Sequence, residues 1–283
     1  TNTAQTKAVD PPAVAPNLLE YSQCANNTTD GTGPCNWING NLNPNNSFYH
    51  EGDATVQRAF LNSVSSGTHT ITFQYDTSKA SSHAYDFLTD DTHSENYVQP
   101  NQVCTGANKS GFASEAQCQT AATVAFAIPH DPNAKGRDAL SLSNNFKIRN
   151  GTITNVSTPS LIGTSLDANG FYVGDTDTKV TVTFTVDPTN CLNATTKSGV
   201  TTCPVLITFG AHVSKLSEWT AVQTGATTAS NISGSPYHVA LVDIDGAAVG
   251  QRDNQMSTNL AGATLTLIKT VTGFGYMLQP NSD

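Results

Sequence analysis

The chain has 283 residues, with 13 lysines and arginines against 22 acids, and a formal charge of −9. So few cations exclude nucleic acid, whose phosphates need clustered Lys and Arg, and argue against anionic membranes. No apolar run approaches the roughly 20 residues that cross a bilayer, and charged residues make up only 12%, so the surface is expected to be rich in hydroxyls and amides.

The start at Thr1, with no Met and no basic or apolar leader, suggests a mature secreted chain. Residues 1–17 are polar and carry Pro11, Pro12 and Pro16, which block helix and central-strand pairing; an extended N-terminal arm is expected there. A β domain is expected over 18–262. Residues 69–75 alternate strictly, with Ile71, Phe73 and Tyr75 on one face, and residues 179–186 repeat the pattern with Val180, Val182, Phe184 and Val186. Period 2 of this kind marks half-buried antiparallel strands. Weaker strand runs lie at 56–61, 123–128, 146–153, 205–213 and 237–242, separated by turn pairs such as Asn150-Gly151 and Asp245-Gly246. Residues 214–222 suit one helical turn, and no long amphipathic helix is evident. The expected fold is all-β, an antiparallel β-sandwich with a jelly roll as one arrangement.

Six cysteines fall as close neighbours: Cys24 and Cys35, Cys104 and Cys118, Cys191 and Cys203. Six cysteines allow fifteen connectivities. Neighbour pairing is the simplest, because each pair brackets a polar, turn-rich loop, and disulfides imply an oxidising, extracellular setting. Cys-x-x-Cys spacing is absent, so zinc is not expected.

Two stretches carry a resemblance. One comprises Leu19-Glu-Tyr-Ser-Gln-Cys-Ala-Asn26, Cys35-Asn-Trp-Ile-Asn-Gly-Asn-Leu-Asn43 and His83-Ala-Tyr-Asp-Phe87. The other runs from Phe209-Gly-Ala-His212 through Trp219 and Gly234-Ser-Pro-Tyr-His238 to Asp243-Ile-Asp-Gly246 and Gln251-Arg-Asp-Asn254. Over roughly residues 18–262 the chain resembles an uncharacterised β-rich module of large secreted bacterial surface proteins of adhesin-like architecture. The resemblance implies a surface location and supplies no catalytic residues. In such proteins a segment like Leu265-Thr-Leu-Ile-Lys-Thr-Val-Thr272 opens the next β domain. Here residues 263–283 are expected to form a C-terminal β segment. It is either the last strand of its own sandwich or a donor strand for a neighbouring copy, inserting Leu265, Leu267, Ile268 and Val271. The arm around Val14 is the alternative donor. The expected partners are therefore copies of the chain itself, in an extracellular filament or surface layer. The alternative is an adhesin-like module binding glycan or protein, with Trp37 and Trp219 as sugar platforms.

Catalytic motifs are lacking: there is no Gly-x-Ser-x-Gly elbow, His-Glu-x-x-His or Walker loop, and an enzyme is not expected. A glycosidase needs only two acids across a cleft, which spacing does not reveal. His83 and Asp86 stand at a distance suited to a local hydrogen bond. Calcium is the candidate cofactor, because Asp167, Asn169, Asp175 and Asp177 offer hard oxygens around one turn, and Asp243, Asp245 and Asp253 around another. The same residues are also good turn formers. Asn-x-Ser/Thr sequons mark Asn26, Asn27, Asn45, Asn108, Asn150, Asn155, Asn193 and Asn231 as candidate glycosylation sites.

Overall fold

The computed structural model describes residues 15–94, 102–140, 143–163, 165–250 and 252–258. Val14, Leu265, Leu267, Ile268 and Val271 lie outside them, as do most of the expected terminal segments.

The chain first forms strands Asn17–Ala25 (β1), Asn36–Ile38 (β2), Asn41–Leu42 (β3), Ala54–Ser65 (β4), Gly67–Lys79 (β5), Ser82–His83 (β6) and Tyr85–Thr89 (β7). A short helix, Glu115–Thr120 (α1), precedes Thr123–Ala127 (β8), Asn145–Arg149 (β9), Thr152–Val156 (β10) and Ser160–Ile162 (β11). Next come Ser165–Leu166 (β12), Tyr172–Val173 (β13), Thr176–Val186 (β14), Thr195–Lys197 (β15) and Val200–Val213 (β16). Helix Leu216–Trp219 (α2) and strands Tyr237–Ile244 (β17), Ala247–Ala248 (β18) and Asp253–Met256 (β19) follow.

The strands build an all-β sandwich. One sheet runs β2-β1-β4-β16-β9-β8, with β7 and β15 also on β16. The other runs β10-β14-β5-β17-β19-β3, antiparallel except for a two-residue parallel contact between β19 and β3. The period-2 runs become central strands of the second sheet. Val180 and Val182 of β14 register against Phe73 and Ile71 of β5, and their side chains are buried. Phe73 also meets Phe209 of β16 and Phe146 of β9, with ring centroids 4.5 and 5.7 Å apart, so three aromatics join the two sheets at the centre. Burying each such ring stabilises the fold by about 1.5–3 kcal/mol.

Two sequence runs behave differently from their period. Residues 202–213 of β16 are buried on both faces rather than one. A second layer covers the outer side: Val103, Cys104, Ala107, Phe112 and Cys118 pack over Val56, Phe60 and Leu206. The run at 146–153 is not one strand. It breaks at Asn150-Gly151 and passes from β9 in the first sheet to β10 in the second, with Asn150 at φ 61°.

The opposite flank is closed by amides. The Gln23 side chain donates to the Gly40 and Gln255 carbonyls at 2.6 and 2.7 Å, and Asn254 donates to Gln57 at 2.8 Å. These buried amide hydrogen bonds link the two sheets on this flank.

Candidate functional site

Strand β8 ends the first sheet on the side away from β2. Its ladder to β9 pairs Val124 with Ile148 and Phe126 with Phe146. Ile128 N–H donates to the Asn144 carbonyl at 2.8 Å, and Asn150 N–H to the Ala122 carbonyl at 3.4 Å. In an antiparallel pair these bonds fall on alternate residues. The even-numbered residues therefore turn their backbone groups to β9, while Thr123, Ala125 and Ala127 turn theirs outward. Their side chains are exposed, whereas Val124 and Phe126 are half-buried against the core. Strand β10 is bonded only to β14, so the second sheet also ends on this flank. Among the described residues no strand completes either edge. The β8 sequence Thr-Val-Ala-Phe-Ala contains no charge or proline, the residues that commonly block pairing at an edge.

The cysteines pair as neighbours, Cys24–Cys35, Cys104–Cys118 and Cys191–Cys203. Each closes a local loop, and the second pins α1 into the outer layer over Phe60.

The carboxylates considered for calcium are spread over separate hydrogen bonds. Asp167 accepts from the backbone N–H groups of Phe171 and Asn169, which hold its carboxyl below the usual range. Asp175 accepts from Ala80 N–H at 2.6 Å, and Asp245 from Thr70 N–H at 2.7 Å while also meeting His69 at 2.8 Å. Asp243 accepts from Gly246 N–H at 3.4 Å, closing the turn before β18, and Asp253 lies in β19. Asp177 accepts from Gln74, and burial followed by its neighbour Asp76 pushes its carboxyl up to about 6. The Asn169 carbonyl faces Lys135 Nζ at 3.2 Å. Among the described residues no three His, Cys, Asp or Glu side chains gather as a metal-ligand set. Asp167 and Asp243 cap turns, while Asp175 and Asp245 tie distant backbone together.

The sequons divide by burial. Asn26 is buried and exchanges two hydrogen bonds with Phe48, and Asn150 is spent on Leu192 and Pro204; neither offers a free amide to a glycan. Asn27 and Asn193 are half-buried and hydrogen-bonded, whereas Asn45, Asn155 and Asn231 are exposed. Asn108 falls in the short turn of helix at 107–109.

The tryptophans are not open platforms. Trp219 is fully buried, stacked on the His83 ring at 3.5 Å, and donates to Asp86 at 3.1 Å. Trp37 has the Arg58 guanidinium 4.0 Å above its ring and donates to the Gln102 carbonyl. The bond expected between His83 and Asp86 does not form. Asp86 instead meets His212 at 2.6 Å, and His83 turns to Gln223 at 2.7 Å, with burial pushing its imidazole below its usual range. Strand pairing explains this: residues 85–89 lie along β16, which carries His212 to Asp86 from 126 positions away.

Comparison of the chain with protein-family models, with curated proteins and with solved structures finds no match in any of the three.

Proposed function

We propose that the protein is a structural subunit of an extracellular filament or surface layer, assembled by adding a strand from a neighbouring copy to the β8 flank. The observation that carries this reading is the outward backbone of Thr123, Ala125 and Ala127 on an edge without charge or proline. A guest strand there satisfies a row of N–H and C=O groups and continues the first sheet, which is β-augmentation. Residues 263–272, with Leu265, Leu267, Ile268 and Val271, are the donor of choice because they are rich in Thr and branched apolar residues, with Thr alternating with apolar side chains over 263–267. Three disulfides suit an oxidising, extracellular setting. The reading gives no residue a catalytic role, and the coverage of Trp37 and Trp219 weighs against the sugar-platform alternative.

Ala125→Pro is the test. Proline removes the one outward N–H at the centre of the edge while leaving the β9 ladder intact, as edge strands tolerate. Wild-type protein is expected to form ordered fibres or sheets under negative stain. The Ala125→Pro variant should stay dispersed with an unchanged circular dichroism spectrum. Assembly that persists in the variant would overturn the β8 edge as the point of contact, and a wild type that stays monomeric at high concentration would favour a non-polymerising binding module.

A further inference from the structure

The outer face of the first sheet holds a lysine between two carboxyls. Lys147 of β9 sits with Nζ 2.5 Å from Asp91 Oδ1 and 2.7 Å from Asp90 Oδ1. The second oxygen of Asp91 accepts from the Thr208 hydroxyl of β16 at 2.6 Å. Asp90 accepts in turn from Thr92, through its N–H at 2.9 Å and its hydroxyl at 2.6 Å. The acid side chains are 8% and 4% exposed and that of Lys147 25%, so the carboxyl ends of the group are shut from water.

The backbone is arranged to permit this contact. β16 pairs with β9 through Leu206, Ile207 and Thr208, then changes partner to β7 from Gly210 onward. A side chain at Gly210 would stand 2.7 Å from the Asp90 carbonyl. Glycine therefore lets the Asp90-Asp91 segment lie flat on β16, beside the lysine that Thr208 faces in register. Strands β7 and β9 share this side of β16 without pairing with each other, so a seam runs between them.

We infer that Lys147 and Asp91 join covalently, forming an amide between Nζ and the Asp91 carboxyl carbon, with Asp90 as the proton carrier. Asp90 takes one proton from the ammonium, and the freed lone pair attacks Asp91. The Asp91 hydroxyl leaves with a second amine proton as water, and Asp90 returns its proton to solvent. Overall an ammonium and a carboxylic acid become an amide, one water and one proton, with nothing oxidised or reduced.

Each group is suited to its part. Fixed contact replaces a bimolecular encounter, which can supply several kcal/mol of the barrier. Thr208 donates to the oxygen that gains charge in the tetrahedral intermediate. Burial drives Asp91 up, towards the neutral acid that can lose hydroxyl. Burial acts on Asp90 in the same sense but is outweighed by Lys147 and Thr92, leaving it the anion that can take a proton. Burial disfavours charge on Lys147 too, and the two acids more than restore it, so the ammonium must lose its proton to Asp90 before it can attack. The product replaces a poorly hydrated ion pair with a neutral amide, and exclusion of water slows its hydrolysis.

Intact mass of the reduced, denatured protein tests the bond. The wild type is expected to be lighter than its sequence mass by one water. After trypsin, the peptide bearing Asp91 should remain joined to the peptide bearing Lys147, uncleaved at that lysine. Lys147→Arg keeps the ion pairs but is too poor a nucleophile, and should have full mass; Asp90→Asn should also have full mass. A wild type of full mass overturns the inference without recourse to any variant. So does a one-water deficit that survives in Lys147→Arg, which would place the loss in an aspartyl succinimide. A joined peptide pair in Asp90→Asn overturns the role given to Asp90.

Discussion

Single residues in this fold show how burial sets acid chemistry apart from sequence neighbours. Asp131 is buried, accepts from Asn133 N–H at 2.8 Å and lies 3.4 Å from the Tyr75 hydroxyl. Burial pushes its carboxyl up to about 6, against about 3.9 in an unfolded chain. Between those values the native state binds the extra proton, so stability falls as pH rises through the window. Asp131→Asn removes this penalty. The variant should gain on the wild type by about 2–3 kcal/mol between pH 4 and pH 7. Paired thermal melts at the two pH values check it, and a gap that does not move with pH would mean that Asp131 does not titrate there. None of this is visible in the sequence, where Asp131 reads as one more turn former in His130-Asp131-Pro132.

Elements were legible to the extent that their signal was local. The alternation of β5 and β14 could be read residue by residue, because period 2 records directly which face is buried. The six residues of α1 were missed. Their start signal is present, with Ser114 accepting from Gln117 N–H, but the helix is too short to show a 3.6-residue period. The edge role of β8 was missed for a different reason. Alternation tells which side chains are buried, not whether a neighbouring strand is present, and that depends on the order of strands far apart in sequence. The Lys147 cluster likewise brings together residues 56 and 57 positions apart. The outer layer around α1 carries its own prediction. Cys104–Cys118 closes a 14-residue separation, for which loop entropy suggests about 3 kcal/mol. Replacing both cysteines by Ala should lower stability by about that amount in denaturant titration. An unchanged midpoint would mean that packing on Phe60 holds the layer without the bond.

Across the whole molecule, one apolar core runs between the sheets, from Tyr21 and Phe209 on one side to Phe73 and Phe184 on the other. Strands β4 and β5 lie at the heart of different sheets, yet only Ser66 separates them, and β5 begins with Gly67 at φ 120°. This corner has a kinetic consequence. The long ladders of these strands join distant parts of the chain, β5 meeting β14 and β4 meeting β16 across about a hundred residues or more, and contacts so distant form slowly because their loops must close first. The β4–β5 corner is among the shortest links between the sheets and joins two of their long central strands, and so is a natural seed around which the distant strands collect. A side chain at Gly67 would meet open space, so Gly67→Ala probes the backbone alone. In stopped-flow experiments it should slow refolding several-fold and leave unfolding nearly unchanged, the pattern of a residue already in place at the barrier. An effect confined to unfolding would put the corner late. A single glycine would then set how quickly this protein reaches its folded form, as well as where its chain turns.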